Sequence, residues 1–250
     1  MDYSNYKEAF DREGFVRIRR FLDEAELAEL RRELDRYISQ VVPTLSDAHA
    51  FYQDKSRPET LKQMQFMGVD PYFKACGSHP KFQGLAVALI GEQAVCDDPE
   101  WFNKPPATEH PTPPHQDNYY FNLVPPHVIT IWVALEEIDE ENGCLRYVSG
   151  SHLQGRRTHA TSKVLGFSQG ITDFGDQDRA REVQMHLQPG DAIVHHGWTI
   201  HRAEPNRSQT RHRRAFAMVF KGVSCERDEE GFRIYQQSAK AQHSAMGLKT

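Results

Sequence analysis

Little in this chain suggests a stapled, membrane-bound or nucleic-acid-binding protein. Its four cysteines, Cys76, Cys96, Cys144 and Cys225, are widely spaced and form no CxxC pair of a zinc module. They are expected as free thiols in a reducing compartment. No apolar run approaches the ~18 residues of a membrane span. The opening from Met1 to Glu8 lacks the apolar core of a secretory leader. A cytoplasmic protein with no membrane contact is the expectation. A basic excess is also missing. The formal net charge is −5, and arginines cluster only at 211–214, so no nucleic-acid partner is expected. There is no internal repeat. With 250 residues, 38% hydrophobic and 26% charged, the chain can bury one substantial core and is read as a single domain over 1–250. Nothing in it indicates an oligomeric state.

The first 91 residues read as a strand and helices buttressing a β-rich remainder. Gly14 to Leu22 alternates apolar and polar, as a strand does. Asp23 caps a helix, with Glu26 at the reciprocal capping-box position and Leu22 and Leu27 placed for a hydrophobic staple. Leu27, Leu30, Leu34, Ile38 and Val41 then continue at helical steps and form a packing stripe. From Pro58 to Gly91 the pattern stays helical. Leu61, Met64 and Met67 share one face, Pro71 and Pro80 stand at helix starts, and Gly91 stands at a helix end. Residues 92–222 change character to short β segments separated by turn signals: 101–104, 112–121, 128–135, 144–148, 183–187, 192–195 and 214–220. Helices first and many strands after predict a mainly β sandwich or double-sheet barrel with helices packed outside it. Residues 152–182 are polar and lack periodicity, which suits a lid over a pocket, the preferred reading, or an inert surface loop. Residues 223–250 form a charged, then Gln/Ser/Ala-rich tail, either disordered or helical.

What the chain does have is His115-Gln116-Asp117, with His201 far downstream and Arg211, Arg213 and Arg214 beyond it. Two imidazoles and one carboxylate are the ligand set of a non-haem iron(II) oxygenase with open coordination positions. On a strand, residues i and i+2 point to one face. His115 and Asp117 would then reach one metal while Gln116 points away. The same parity puts Tyr119 and Phe121 on that face, either beside a substrate or in the core. In a chain with 13 histidines, a lone His-x-Asp is a weak signal. The distal His after a glycine-bounded apolar run and the arginines beyond it strengthen the reading, because an arginine there would hold a carboxylate-bearing cosubstrate.

Several segments together resemble the phytanoyl-CoA dioxygenase family of iron(II)/2-oxoglutarate oxygenases. They are Phe10 to Val16 with Phe21-Leu22-Asp23, Asn103-Lys104-Pro105-Pro106 leading to His115-Gln116-Asp117, Glu141 to Leu145 with Ser149 to His152 after it, and Pro189-Gly190-Asp191 before His201. The resemblance implies a double-stranded β-helix, or jelly roll, with His115, Asp117 and His201 as iron(II) ligands and with 2-oxoglutarate and O2 as cosubstrates. It implies a dioxygenase that hydroxylates an unactivated C–H of a small or medium metabolite and releases succinate and CO2. Arg213 is the favoured anchor for the distal carboxylate of 2-oxoglutarate, with Arg211 and Arg214 as alternatives; Trp132, Thr130 and Lys104 would lie near it. Tyr119, Phe121 and Arg202 are substrate-side candidates, and His195 and His196 read as structural. The chain departs from the family at His201-Arg202-Ala203, where many members carry a serine at the third position that contacts the cosubstrate. An intact Asp117 argues for oxygenation, since related halogenases replace the carboxylate. A cupin-like metal-dependent hydrolase or isomerase, or a ligand-binding jelly roll without turnover, are the alternatives.

Overall fold

The computed structural model describes residues 2–164 and 167–245. Leu165 and Gly166 of the predicted lid, and 246–250 of the predicted tail, lie outside them. In chain order the strands are β1 (Phe15–Ile18), β2 (Ala50–Tyr52), β3 (Leu61–Met64), β4 (Ala94–Cys96), β5 (Glu100–Lys104), β6 (Thr112–His115), β7 (Leu123–Val124) and β8 (Val128–Ala134). They continue as β9 (Leu145–Val148), β10 (His159–Val164), β11 (Phe167–Ile171), β12 (Glu182–Gln184), β13 (Ala192–His196), β14 (His201–Ala203), β15 (Arg213–Gly222) and β16 (Glu226–Arg227). The major sheet runs β1-β13-β8-β15-β5-β3-β2, with β4 also on β15, and the minor sheet runs β12-β9-β14-β6. This is the double-stranded β-helix that the family resemblance implied.

Strand β8, at the centre of the major sheet, is buried on both faces, which is why it reads as a near-continuous apolar run rather than an alternating one. Ile129, Ile131 and Val133 of β8 and Phe216, Met218 and Phe220 of β15 face outward into one core cluster. That cluster takes Leu27, Leu30 and Leu34 of α2 (Glu24–Arg36) and Phe82, Leu85 and Leu89 of α4 (Pro80–Ile90). The helices therefore pack outside the jelly roll, as expected. The α2 capping box is present, with Glu26 N–H donating to Asp23 Oδ1 at 2.9 Å and Asp23 N–H to Glu26 Oε2 at 2.8 Å. Trp132 and Ala134 of β8 and Ala215 and Ala217 of β15 face inward into a second cluster. Cross-strand partners share a face. Across the inner face one row therefore runs Glu100–Ala217–Trp132–Ile193, the next Val219–Thr130–His195–Phe15, and Lys104 stands opposite Arg213.

The structure corrects two helix–strand assignments. Leu61–Met64 is strand β3, paired with β2 and β5, and not part of a helix. An i, i+3 pair of apolar residues fits either element, and pairing with the edge of β5 decides it. The predicted strand 112–121 stops at His115, and Asn118–Phe121 forms a single helical turn. Within 152–182 lie the hairpin β10–β11 and a short helix at Asp176–Arg179. In the tail, Glu229–Ala245 forms the C-terminal helix, which packs on that hairpin and on the 118–121 turn. Gly14, at φ +83, joins the helix Lys7–Glu13 to β1 in the left-handed region. A Cβ there would stand 2.4 Å from His152 Nδ1, so only glycine fits. No helix among the described residues is long and apolar enough to cross a membrane.

Candidate metal centre

His115 ends β6 and His201 begins β14, and the two are direct partners in the minor sheet. Their rings stand 4.1 Å apart. After His115 the chain leaves the strand, and Asp117 has helical backbone angles, φ −60 and ψ −39. Strand parity is therefore not what joins His115 to Asp117; a tight turn is. Gln116 fixes that turn. Its fully buried amide donates to Gly155 O at 2.9 Å and Trp198 O at 2.8 Å and accepts from Arg157 N–H at 2.8 Å, so it points away as expected. Asn118 completes the turn through its own amide, bonded both ways to the Leu123 backbone.

The arrangement leaves one ligand atom each of His115, Asp117 and His201 within 4.8 Å of one another. Asp117 Oδ1 lies 3.6 Å from His115 Nε2 and 3.5 Å from His201 Nε2. Each imidazole meets a carbonyl with its other nitrogen, His115 Nδ1 at Pro113 O (2.8 Å) and His201 Nδ1 at Thr199 O (3.0 Å). A carbonyl only accepts, so Nδ1 carries the proton and Nε2 is the lone-pair atom, the tautomer a metal requires. Burial lowers the affinity of both imidazoles for a proton. Burial would raise the Asp117 carboxyl, but facing His201 and the hydrogen bond from His195 hold it below the usual carboxylate range. Two neutral imidazoles and an ionised carboxylate converging in a buried site fit a divalent transition metal.

Asp117 has a second face. Its Oδ2 accepts from Thr130 Oγ1 at 2.7 Å and from His195 Nε2 at 2.9 Å. His195 Nδ1 in turn accepts from Tyr147 OH at 3.0 Å. Thr130, expected near a cosubstrate, thus turns its hydroxyl to Asp117. His195 touches Asp117 directly and acts on the site, a role the structural reading of it lacked. Thr130 and His195 are cross-strand partners, and that register is what brings both to one oxygen.

Deeper in the same interior lies Arg213, 5% exposed, its guanidinium 5.3 Å from the centre of the Trp132 ring. Its Nε has no hydrogen-bond partner, and no carboxylate pairs with it among the described residues. Burial lowers its pKa to about 10. The neighbouring arginines differ. Arg211 is bound by Asp139 and Glu141, and Arg214 by Glu136. Lys104 lies opposite Arg213, its ammonium donating to Ala203 O at 3.3 Å and Glu204 O at 2.5 Å. Burial, then Arg213, push its pKa well down. A buried cation left without a counter-charge is costly unless an anion joins it. Ala203, at the family's serine position, is fully buried in the interior cluster.

The substrate-side candidates fall differently. Because the chain turns after Asp117, it is Tyr120 that packs against His115, ring centres 6.0 Å apart, with its hydroxyl donating to Gln169 O at 2.9 Å. Tyr119 stacks on His159 at 4.0 Å, one layer away, with Arg156 over its other face at 4.6 Å. Phe121 packs instead with Leu123, Val128 and Val219 under Lys221. Arg202, neighbour to His201 on β14, points to the opposite face and is held by Glu182 and Glu204. The hairpin β10–β11 lies along β6 on the His115 side, with Gly170 against Pro113. The C-terminal helix closes on it, where Tyr235 meets Tyr120 edge-on at 5.5 Å and Gln169 Nε2 donates to Ser238 Oγ at 2.8 Å.

Comparison with known proteins agrees with this geometry. The model of the phytanoyl-CoA dioxygenase family matches residues 10–215. The peroxisomal phytanoyl-CoA dioxygenase of Bos taurus is 27% identical over 231 residues, covering 86% of this chain and 67% of that protein. The phytanoyl-CoA dioxygenase of Arabidopsis thaliana is 26% identical over 239 residues, covering 81% and 83%. Among solved structures, EvdO2 from Micromonospora carbonacea var. aurantiaca, complexed with 2-oxoglutarate, superposes with a TM-score of 0.71 at 26% identity, over 91% of this chain and 93% of that one. The epimerase SnoN in complex with Fe3+, alpha ketoglutarate and nogalamycin RO shares the fold, with a TM-score of 0.71 at 22% identity over 89% and 84%.

Proposed function

The chain belongs to the phytanoyl-CoA dioxygenase family, and from that premise we propose that it uses iron(II) and 2-oxoglutarate to hydroxylate an unactivated C–H bond of a small or medium metabolite, with succinate and CO2 as co-products. The observation that carries the reading is Arg213, a buried cation without a counter-charge in the same interior as three converging metal-type ligands. A dicarboxylate cosubstrate would supply the counter-charge that this cation lacks.

His115, Asp117 and His201 would hold the iron. When bound, iron(II) supplies activation of O2 coupled to oxidative decarboxylation of the ketoacid. The protein's residues bind, orient and shield. Arg213 offers the distal carboxylate of 2-oxoglutarate a planar, two-donor fork, and Trp132 forms the wall beneath it. Lys104 lies next to Arg213, where a bound carboxylate would favour its charged form. Thr130 and His195 occupy Oδ2 of Asp117, so Oδ1 is the oxygen that would be left to hold the iron, with the carboxylate oriented by its neighbours. The hairpin β10–β11 and the C-terminal helix form the cover that keeps water from the reacting carbon. Tyr120, against His115, is the side chain we assign to the substrate side, in place of Phe121.

Anaerobic reconstitution tests the reading. Wild-type protein with iron(II) should bind 2-oxoglutarate with a new visible charge-transfer band and, once O2 is admitted, form succinate faster when a substrate is present. No band and no ketoacid-dependent O2 uptake would overturn it in favour of a metal-dependent hydrolase or isomerase.

A further inference from the structure

Glu100 stands on the inner face of the major sheet, directly opposite Ala217, in the row that continues through Trp132. Phe102 and Lys104 come next on the same face of β5; Phe102 packs on the interior cluster and Lys104 lies beside Arg213. Trp101, between Glu100 and Phe102, faces the helices. Glu100 is therefore in the wall of the pocket, one row from Thr130 and His195, the two residues that hold Asp117. It is half-buried, and its side chain has one hydrogen bond among the described residues, from Gln63 Nε2 at 3.2 Å. No cation among those residues pairs with it. Lys104, four positions away and so about 13 Å along the strand, turns its ammonium to the carbonyls of Ala203 and Glu204. Lys221, the nearest basic residue on β15's outer end, is paired with Asp97.

The pocket wall is thus polarised. One end carries Arg213 and Lys104 and lacks an anion; the other carries Glu100 and lacks a cation. The dianionic cosubstrate answers the first end and is repelled by the second. An alkyl chain laid over Glu100 would strand a carboxylate against methylenes, which burial makes expensive. Burial, with Asp117 and Asp97 adding repulsion, already pushes the Glu100 carboxyl up to about 7, as expected for an acid awaiting a partner.

We propose that Glu100, supported by Gln63, is a specificity-determining residue that binds a protonated amine of the substrate, so that the substrate is an amine-bearing metabolite and not a fatty acyl chain. This rests on the iron(II)/2-oxoglutarate reading. The two fail separately, because cosubstrate binding is measured before any substrate probe is added.

The test uses full-length protein loaded anaerobically with iron(II) and 2-oxoglutarate and titrated with three probes of equal chain length: 1-aminohexane, 1-hexanol and hexanoyl-CoA. The readout is the shift of the charge-transfer band as a probe enters beside the metal. In wild type, 1-aminohexane is expected to bind at least about tenfold tighter than 1-hexanol. Glu100→Gln should reduce that preference to about twofold or less while 2-oxoglutarate affinity stays unchanged. Glu100→Gln should also melt higher than wild type, because it removes an unpaired charge; a purely structural glutamate would give a lower melting temperature. Gln63→Leu should weaken the amine preference without abolishing it. The proposal is overturned if hexanoyl-CoA or 1-hexanol binds best, if Glu100→Gln leaves the probe affinities as they were, or if no probe shifts the band of a protein that binds 2-oxoglutarate normally.

Discussion

The two sheets of the jelly roll divide the labour unequally. The centre of the major sheet, β13, β8, β15 and β5, pairs without a register break, and its β8 is buried on both faces; β15 alone spans ten residues. The minor sheet has strands of three or four residues, and its β14–β6 ladder is irregular between His201 and Ala203. Yet the minor sheet carries His115 and His201, and the major sheet supplies what steadies the site: Thr130, His195 and Arg213. Short strands leave side-chain direction weakly determined by the ladder. In this chain the hydrogen bonds of the Gln116 and Asn118 amides, and those that His115 and His201 donate to the Pro113 and Thr199 carbonyls, take over that task. Asp117 is the junction, with one oxygen turned to the minor sheet's imidazoles and the other bound to the major sheet. Precise chemistry on an irregular sheet is possible because a regular one holds it from behind.

Single substitutions can break or sharpen that contrast. The largest effect is expected at the junction. Asp117→Ala or His201→Ala should lower iron(II) affinity by more than about a hundredfold, read by anaerobic titration, with the far-ultraviolet dichroism of the folded chain preserved. Retained stoichiometric iron in both would move the metal elsewhere.

Next comes the major sheet's own contribution. Arg213→Met should weaken 2-oxoglutarate by about 2–3 kcal/mol, close to a hundredfold. The same variant should raise the melting temperature of the ligand-free protein, because it removes a buried charge without a partner. Arg211→Gln and Arg214→Gln, each losing an ion pair instead, should leave cosubstrate affinity within about twofold. If either of them, and not Arg213→Met, loses the cosubstrate, the anchor has been misassigned by one or two strand positions.

His195→Phe removes the support behind Asp117 without replacing a ligand. Metal affinity is expected to fall about 10- to 100-fold, and the ligand-field bands of the cobalt(II)-substituted protein should change as the carboxylate rotates. Tyr147→Phe, one step further out, should give the same spectral change at smaller amplitude. An unchanged cobalt spectrum in both would mean that the minor sheet orients Asp117 unaided.

The smallest effect lies on the minor sheet's outer face. Arg202→Gln breaks the pairing with Glu182 and Glu204 and should cost about 1 kcal/mol in denaturant unfolding. Metal and cosubstrate affinities should not move, although Arg202 is the immediate neighbour of His201. A change in substrate affinity in this variant would restore it as a substrate contact.

The sequence was most legible where the chemistry is local. The Asp23–Glu26 capping box, Pro71 and Pro80 at helix starts and Gly91 at a helix end are all found where their short-range hydrogen bonds and backbone limits require. The apolar runs at 128–135 and 214–220 marked β8 and β15 as strands, although not which face each residue takes. What could not be read depends on partners brought in from elsewhere. Sequence favoured Arg213 but left Arg211 and Arg214 open; Asp139, Glu141 and Glu136, which pair with those two, distinguish them only after folding. His195 reads as one more residue of a buried strand until its register opposite Thr130 is known. The turn after His115 defeated strand parity because aromatic Tyr119, Tyr120 and Phe121 favour a strand by composition, while buried Gln116 and Asn118 enforce the opposite.

Strand β1 has a consequence for how the protein is made. Phe15 to Ile18 lie against Ala192 to His195, so segments far apart in the chain must meet before the edge of the major sheet is sealed. During synthesis, β8 leaves the ribosome well before β13, the strand that will cover its flank. A nascent chain stalled before residue 192 would therefore display Val128 to Ala134, buried on both faces in the finished fold, with both edges unpaired. Such long-range pairing slows folding, and such an edge is what chaperones capture and what aggregates recruit.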